Sequence, residues 1–305
     1  MTSNVKFRCI YLILISVFGL VSCGSSSTKT IEIKGVYGNP KPLWEKGYKL
    51  NDLGVNAIFV HSGSINEDML DRARAEGARV YAEFATLNGK GYVDTHPEAW
   101  AVNEKGERVE AATWFMGACP TEPGFRKYRF DQLRDLLLEY DLDGVWMDYV
   151  HWHAQFEDPE PILPETCFCR HCLNRTSNIK SIMTEIKPDA LLGLYHCPWT
   201  DEEYNGARER ILGLDYNLLK KTIDVFSPMV YHQRMGRAPS WVEENIEWFS
   251  NKIGAEDGAY PKIWPIVQAY NEPGIVTNEA FETVLRGGLA GKSSGVMMFT
   301  THAIA

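Results

Sequence analysis

The sequence predicts an α/β fold, a single (β/α)8 barrel of the TIM type, over residues 31–305. Eight short apolar runs alternate with amphipathic segments along this part of the chain. Eight parallel strands close such a barrel, and the length fits the roughly 250 residues that it typically needs. In chain order, the predicted strands are Ile33–Gly38, Ala57–Ser62, Arg79–Ala85, Gly144–Val150, Leu191–Cys197, Val225–Tyr231, Ile263–Tyr270 and Gly295–Thr301.

The clearest helical periodicity lies between the third and fourth predicted strands. From Pro123 to Tyr140, apolar and aromatic side chains recur at the spacing of one helix face. Thr121 is the expected N-cap, with Pro123 in the first turn. The chain ends just after the eighth predicted strand, so we expect the closing eighth helix to be absent.

The first thirty residues predict an export signal. Two basic residues precede an apolar run from Ile10 to Val21, which is shorter than the roughly 20 residues that span a bilayer. The following Leu20-Val-Ser-Cys23 resembles the bacterial lipoprotein signal. That resemblance implies a signal peptide over residues 1–22, acylation of Cys23 by chains such as palmitate, and a flexible Ser/Thr-rich spacer over residues 23–30. A plain secretory signal is the alternative.

The resemblance places the chain in a bacterial cell envelope, at the outer-membrane surface or the periplasmic face, with its lipid in the membrane. The composition limits which other partners are expected. The formal net charge is -9 and no basic run occurs, which argues against a nucleic-acid partner. Nine Trp and fourteen Tyr residues supply aromatic faces of the kind that stack on sugar rings.

The run from Asp143 to His153 is the most informative feature of the chain. It places a carboxylate, aromatic rings and imidazoles at the end of a buried strand, where barrels carry their active sites. Side chains alternate along a strand, so residues in phase with Asp148 near other strand ends should face the same mouth. The predicted substrate contacts at strand ends are Tyr37, His61, His196, Tyr231, Gln268, Tyr270 and His302, and those in loops are Trp114, Tyr149, His151, Trp152 and His153. The alternative is a core strand with one capping Asp.

The two histidines of this run allow a second interpretation. A His-x-His pair can ligate a metal, but the sequence identifies no further ligands for it. We therefore expect His151 and His153 to orient hydroxyls or an anionic sugar, and Trp152 to stack on a ring. A structural role for one of the histidines remains an alternative.

Cleavage of a glycosidic bond commonly uses two carboxyl groups. Asp148 is the first candidate, and the second is Glu83 on the third predicted strand or Glu272 just beyond the seventh. The structural alternatives are a buried ion pair for Glu83 and a turn carboxylate beside Pro273 for Glu272.

Four cysteines predict a structural metal site. Cys167, Cys169 and Cys172 lie within one short segment, and Cys119 ends the preceding connection. Three thiolates held so closely suit a tetrahedral soft-metal site, and Cys119 can complete it. Disulfides or free thiols are the alternative, because exported proteins meet an oxidising compartment. Cys197 is expected to be a buried core thiol.

This cysteine pattern is similar to the zinc site of glycoside hydrolase family 42 β-galactosidases, which are also (β/α)8 barrels. The resemblance covers these four residues and implies a structural zinc that pins two loops at the barrel mouth. A site closed by four sulfurs has no open position for catalysis. The residues indicate no organic cofactor.

A broader resemblance covers most of the barrel. Asp143, Gly144, Asp148 and Tyr149 match the Asp-Gly-x-x-x-Asp-Tyr pattern on the fourth strand of bacterial glycoside hydrolase-like barrels, and 118–120 and 227–231 are also similar to that group. The chain lacks the Asn-Glu pair of family 42 at this strand, so β-galactosidase activity does not follow. Val150 and Trp152 likewise depart from the pattern of chitinase-type barrels.

The leading hypothesis is a glycosidase that hydrolyses a poly- or oligosaccharide. The first alternative is a glycan-binding barrel without catalysis, since the aromatic and imidazole mouth would persist without a second carboxylate. The other is a polysaccharide lyase that uses His and Tyr as base and acid on a uronic acid. The separation of the carboxyl pair discriminates among these hypotheses.

Overall fold

The strands of the barrel are all parallel, and the first six pair with one another in chain order. The computed structural model describes residues 29–103, 105, 107–166 and 173–301, with only the backbone for 173–177. Its strands are β1 Ile33–Tyr37, β2 Ala57–His61, β3 Arg79–Ala85, β4 Gly144–Asp148, β5 Leu191–His196, β6 Val225–Val230, β7 Lys262–Ile263, β8 Ile266–Gln268 and β9 Gly295–Phe299.

The barrel closes because β1 pairs with both β2 and β9, while β5 pairs with β6. Its seventh position is formed by β7 and β8 together, which both pair with β6, and β8 also pairs with β9. Pro265 lies between these two short strands and has no N–H for the ladder. The predicted seventh strand is therefore interrupted, and the predicted (β/α)8 barrel is confirmed.

Helices follow the strands around the barrel. They are α1 Lys41–Glu45, α2 Glu67–Ala75, α3 Lys90–Val93, α4 Pro123–Glu139, α5 Leu173–Ile186, α6 Ala207–Arg210, α7 Tyr216–Leu219, α8 Trp241–Ile253 and α9 Asn278–Gly288, with 3-10 turns at Ser62–Ser64, Pro97–Ala99 and Glu203–Asn205. The described residues from Ile31 onward belong to one compact unit.

Helix α4 confirms the predicted helix but corrects its N-cap. Thr121 does not cap it. The carboxylate of Glu122 accepts hydrogen bonds from the backbone N–H groups of Gly124 at 2.9 Å and Phe125 at 2.6 Å. Glu122 has the extended backbone of a cap, and Pro123 then occupies the first helical position.

A layer of large aromatic side chains fills the barrel interior below the strand ends. Phe59, Tyr81, Trp146 and Trp264 contact one another with ring centroids 4.8–6.1 Å apart. A Cβ atom on Gly193 would lie 2.1 Å from Trp146, so only glycine fits there. Because these side chains fill the interior, we expect a ligand site at the carboxyl ends of the strands.

Several predictions concern residues outside the described ranges. They are the signal peptide, the acylated Cys23 and most of its spacer, the thiols of Cys167, Cys169 and Cys172, His302, and the absence of an eighth helix, which concerns residues 302–305. Among the helices that the structure describes, none combines the length and apolar character needed to cross a bilayer.

Candidate active site at the barrel mouth

The carboxyl ends of the strands surround a cavity of about 200 Å³. Predicted site residues on its wall are Tyr37, Trp114, Asp148, Tyr149, His151 and Tyr231. The other wall residues are Phe115, Ala154, Gln155, Phe156, Glu157, Tyr195, Met229, Arg234, Ile266 and Phe299. The cavity therefore combines aromatic surface with carboxyl, amide and guanidinium groups, as ligand sites do.

Asp148 is the last residue of β4, and its side chain reaches the cavity wall. One carboxyl oxygen accepts a hydrogen bond from the backbone N–H of Tyr149 at 2.7 Å. Tyr149 has a φ of 52°, in the left-handed region that bulky residues seldom adopt. Burial, and then the charge of Glu83, raises the pKa of Asp148 well above its usual range.

Glu83 lies on β3, next to β4, and only 2% of its surface is exposed. Its carboxylate accepts a hydrogen bond of 2.6 Å from the Tyr37 hydroxyl. Burial raises the pKa of Glu83, while the Tyr37 hydrogen bond and the charge of His61 oppose that rise. Because Glu83 and Asp148 interact electrostatically, they titrate as a pair that can hold one proton and one negative charge.

Two further predicted site residues, Glu272 and His61, do not line the cavity. Glu272 is exposed and does not line the cavity, although its backbone carbonyl accepts a hydrogen bond from the buried Gln268 side chain at 2.7 Å. His61 is exposed at the rim, where its Nδ1 accepts from the Gly63 N–H at 3.1 Å. The geometry brings Glu83 to Asp148 and leaves Glu272 apart.

Of the three ring residues that follow Tyr149, only His151 reaches the cavity. Its Nδ1 lies 2.7 Å from the carbonyl of Trp152, and burial lowers the pKa of His151 to about 4. Trp152 is 2% exposed and packs against Gly213, away from the cavity, so it is not placed to stack on a sugar.

His153 has a structural role in the described structure. Its Nδ1 accepts from the Gly117 N–H at 3.0 Å, and its Nε2 lies 2.6 Å from the Glu110 carbonyl. Both ring nitrogens therefore hold the long third connection, which joins β3 to α4, against the fourth connection, which joins β4 to α5. Neither nitrogen is left for substrate or metal, so the His-x-His pair is not a metal site here.

On the fifth strand the prediction selected the wrong face. His196 is fully buried outside the barrel, with its Nδ1 2.9 Å from the Tyr216 hydroxyl, and burial lowers the pKa of His196 to about 3. Its neighbour Tyr195 lines the cavity instead. Gly193 faces Trp146 inside the barrel, and alternation then turns Tyr195 inward and His196 outward.

At the ends of the sixth and seventh strands, one predicted residue lines the cavity and two others hold a neighbouring loop in place. Tyr231 lines the cavity and packs against Phe299 with ring centroids 5.1 Å apart and the ring planes tilted by 37°. Gln268 is buried behind the wall, where its Oε1 accepts from the Arg234 backbone N–H at 3.0 Å. Tyr270 does not line the cavity either, since its hydroxyl accepts from the Arg234 guanidinium at 3.3 Å.

A second polar group, which no strand pattern predicts, also lines the cavity. Glu157 and Arg234 form an ion pair of 3.0 Å, and both line the cavity together with Gln155. Burial raises the pKa of Glu157, and Arg234 opposes that rise. These residues lie several positions beyond their strands, where strand alternation has no predictive value.

Trp114 is the most exposed ring on the cavity wall, with 48% of its surface accessible. Its indole hydrogen-bonds the Tyr149 side chain, and the Arg234 guanidinium lies 5.1 Å from its ring centroid. Phe115 stacks on Tyr149 with centroids 5.2 Å apart. The long third connection thus presents an aromatic face to the cavity.

Of the predicted zinc ligands, only Cys119 lies within the described ranges. It is a free, partly exposed thiol, 3.0 Å from the Thr121 hydroxyl, which is compatible with a ligand. The described residues hold no cluster of three or more His, Cys, Asp or Glu side chains suited to a metal. Cys197 is buried and free, as expected of a core thiol.

No protein-family model matches this sequence, and no curated protein matches it. Solved structures with the same fold do exist. The glycoside hydrolase domain of PgaB (BpsB) from Bordetella bronchiseptica aligns with a TM-score of 0.63 at 12% identity, covering 88% of this chain and 94% of that one.

Two further structures extend this likeness. A β-galactosidase from Bacillus circulans sp. alkalophilus aligns with a TM-score of 0.60 at 15% identity, over 90% of this chain and 51% of that one. Ega3 from Aspergillus fumigatus, in complex with galactosamine, gives 0.53 at 10% identity, over 89% and 93%. The chain therefore has the barrel fold of glycoside hydrolase domains.

Proposed function

We propose that this protein hydrolyses a glycosidic bond in an oligo- or polysaccharide, with Asp148 and Glu83 as the carboxyl pair. One observation carries the proposal: Asp148 lines an aromatic cavity at the strand ends, and burial with the nearby Glu83 charge raises its pKa. A carboxyl group with a raised pKa holds its proton more readily and can donate it to a leaving oxygen.

The two carboxyls have different surroundings and therefore different proposed roles. Asp148 donates its proton to the glycosidic oxygen as the bond to the anomeric carbon breaks. Glu83, hydrogen-bonded by Tyr37, stays negative and stabilises the positive charge that develops on the sugar. Water then adds to the anomeric carbon and returns a proton to Asp148. The glycoside hydrolase structures that share the fold support this chemistry.

Cleavage is tested with the full chain purified in detergent and a panel of polysaccharides, scored for new reducing ends and for unsaturated products. Asp148→Asn should lower the rate by about 100-fold or more, because the acid is lost. Glu272→Gln is the matched control, since this exposed carboxylate lies off the cavity, and it should retain the wild-type rate. Wild-type turnover by Asp148→Asn would refute the assignment.

Binding without cleavage is the second candidate, and one observation favours it. Glu83 lies behind Tyr37, so Asp148 alone of the pair lines the cavity. Glycan binding without any products would establish this reading. A lyase acting on uronic acids has less support, because Arg234 is the sole Lys or Arg on the described wall and is paired with Glu157.

We further propose that the chain is acylated at Cys23 and held in a bacterial envelope membrane, as the lipoprotein-like signal indicates. Cys119, Cys167, Cys169 and Cys172 are proposed to hold a structural zinc. The support is their spacing and the free thiol of Cys119. Such a zinc would join two loops and take no part in the reaction.

A further inference from the structure

Gln155 has an amide that no described protein group satisfies. Only 3% of the residue is exposed, and both Oε1 and Nε2 are buried without a hydrogen-bond partner among the described residues. Gln155 lines the same cavity as Asp148. A buried amide without partners lowers stability, so its position at a cavity indicates a ligand that completes its hydrogen bonds.

The backbone holds Gln155 in this position. Its N–H donates to the Ile162 carbonyl and its carbonyl accepts from the Ile162 N–H, both at 2.9 Å. The adjoining Ala154 and Phe156 are 1% and 2% exposed, so this segment is packed into the protein. The amide is therefore presented to the cavity by a fixed segment, which favours binding because little order is lost.

The chemistry of a primary amide defines what it can bind. It offers an acceptor oxygen and two N–H donors. Two neighbouring hydroxyls of a sugar ring match it, one donating to Oε1 and the other accepting from Nε2. On the same wall, the half-exposed indole of Trp114 provides a flat surface for the C–H face of a ring.

Charge restricts the type of sugar. The guanidinium of Arg234 is already paired with Glu157 at 3.0 Å, and it is the one Lys or Arg side chain on the described wall. An anionic sugar would bring a further negative charge to the Glu157–Arg234 pair, and the described wall has no unpaired Lys or Arg side chain to balance it. The wall therefore disfavours uronic acids.

We propose that Gln155 and Trp114 form a binding subsite for one non-anionic sugar ring beside Asp148, with the Gln155 amide hydrogen-bonded to two ring hydroxyls. This inference deepens the proposed glycosidase function, because it names the class of sugar that the same cavity takes. Its test nevertheless requires no catalysis.

The test follows the side-chain amide resonance of Gln155 by NMR in the Asp148→Asn full-length chain, with the signal assigned by its loss in Gln155→Leu. The probes are the methyl pyranosides of glucose, galactose and mannose, with methyl glucuronide as the charged comparison. We expect a saturable shift with at least one neutral probe and none with the glucuronide. Gln155→Leu should raise Kd about tenfold for the binding probe, measured in both chains from the shift of the Trp114 indole resonance.

Gln132→Leu serves as the matched control, because Gln132 lies on α4 and accepts from Arg129, away from the cavity. It should leave Kd unchanged. No Gln155 shift with any neutral pyranoside, or an equal shift with the glucuronide, would overturn the subsite.

The two proposals fail separately. Hydrolysis that depends on Asp148 without a Gln155 shift would leave the glycosidase and remove the subsite. A Gln155 shift in a chain that cleaves no polysaccharide would leave the subsite and remove the glycosidase. Unchanged melting temperature in Gln155→Leu would show that any loss of binding comes from the amide itself.

Discussion

At the residue scale, two buried glutamines at the barrel mouth have opposite roles. Gln268 bonds the Arg234 backbone N–H at 3.0 Å and the Tyr270 and Glu272 carbonyls at 3.1 and 2.7 Å. Gln155 bonds none of the described protein groups through its side chain. Gln268 therefore holds the loop of Arg234 to the loop that follows its own strand, while the Gln155 amide is available to a ligand.

Asp148 illustrates the cost of holding a carboxylate in this cavity. Its folded-state pKa is raised above the usual value near 3.9, first by burial and then by Glu83. The folded state consequently binds the proton more tightly than the unfolded state. Burying the charge destabilises the protein above the folded pKa, and this cost disappears as pH falls towards the unfolded value.

We therefore expect Asp148→Asn to raise the free energy of unfolding at pH 8, with a smaller gain near pH 4. Urea denaturation at the two pH values measures this difference. Glu272→Gln, at an exposed carboxylate, should show no comparable gain at either pH. A gain from Asp148→Asn that is independent of pH would contradict the raised pKa.

At the scale of single elements, caps and loop contacts determine how the mouth is assembled. Helix α4 begins directly after the third connection, which carries Trp114 and Phe115. The cap at Glu122 fixes the end of that connection, and the two hydrogen bonds of His153 hold Glu110 and Gly117 within it. The aromatic wall thus depends on contacts outside the cavity.

Glu122→Ala should lower the free energy of unfolding by about 1 kcal/mol, because the N–H groups of Gly124 and Phe125 lose their acceptor. Thermal or urea denaturation measures the loss. Thr121→Ala should cost less, since Thr121 does not cap the helix. Equal losses in the two variants would mean that Glu122 is not the functional cap.

Loops explain why Glu157, Gln155 and Arg234 escaped prediction. They follow their strands by several residues, and no periodicity relates loop position to the barrel axis. The Glu157–Arg234 ion pair joins the fourth and sixth connections, which are far apart in the chain. The sequence does show polar residues among apolar ones after these strands, which is a signal of a site. It does not show which residues they contact in the folded chain.

At the scale of the whole molecule, the barrel unit begins at Ile31, and the proposed lipoprotein signal lies in the residues before it. One diacylated cysteine with an additional amide-linked chain anchors a protein stably, because each buried methylene adds roughly 0.8 kcal/mol. A tethered barrel would meet glycans at the membrane surface. Localisation therefore bears directly on the substrates available to it.

Cys23→Ala should abolish incorporation of a labelled fatty acid and move the protein from the membrane to the soluble fraction. Metabolic labelling and fractionation in a bacterial host measure both effects. Cys9→Ala lies within the predicted signal and is the matched cysteine control, which should keep labelling unchanged. Labelling that persists in Cys23→Ala would exclude Cys23 as the acylated residue.

The amino-acid sequence alone determined the positions of the barrel strands, the long α4 helix and the candidate Asp148, because periodicity and apolar runs are local properties of a chain. The tertiary structure decided which face of β5 meets the cavity, where Gly193 beneath Trp146 turns Tyr195 inward and His196 outward. It also brought Gln155, Glu157 and Arg234 onto one wall. These outcomes depend on packing between residues distant in sequence, which no local pattern records.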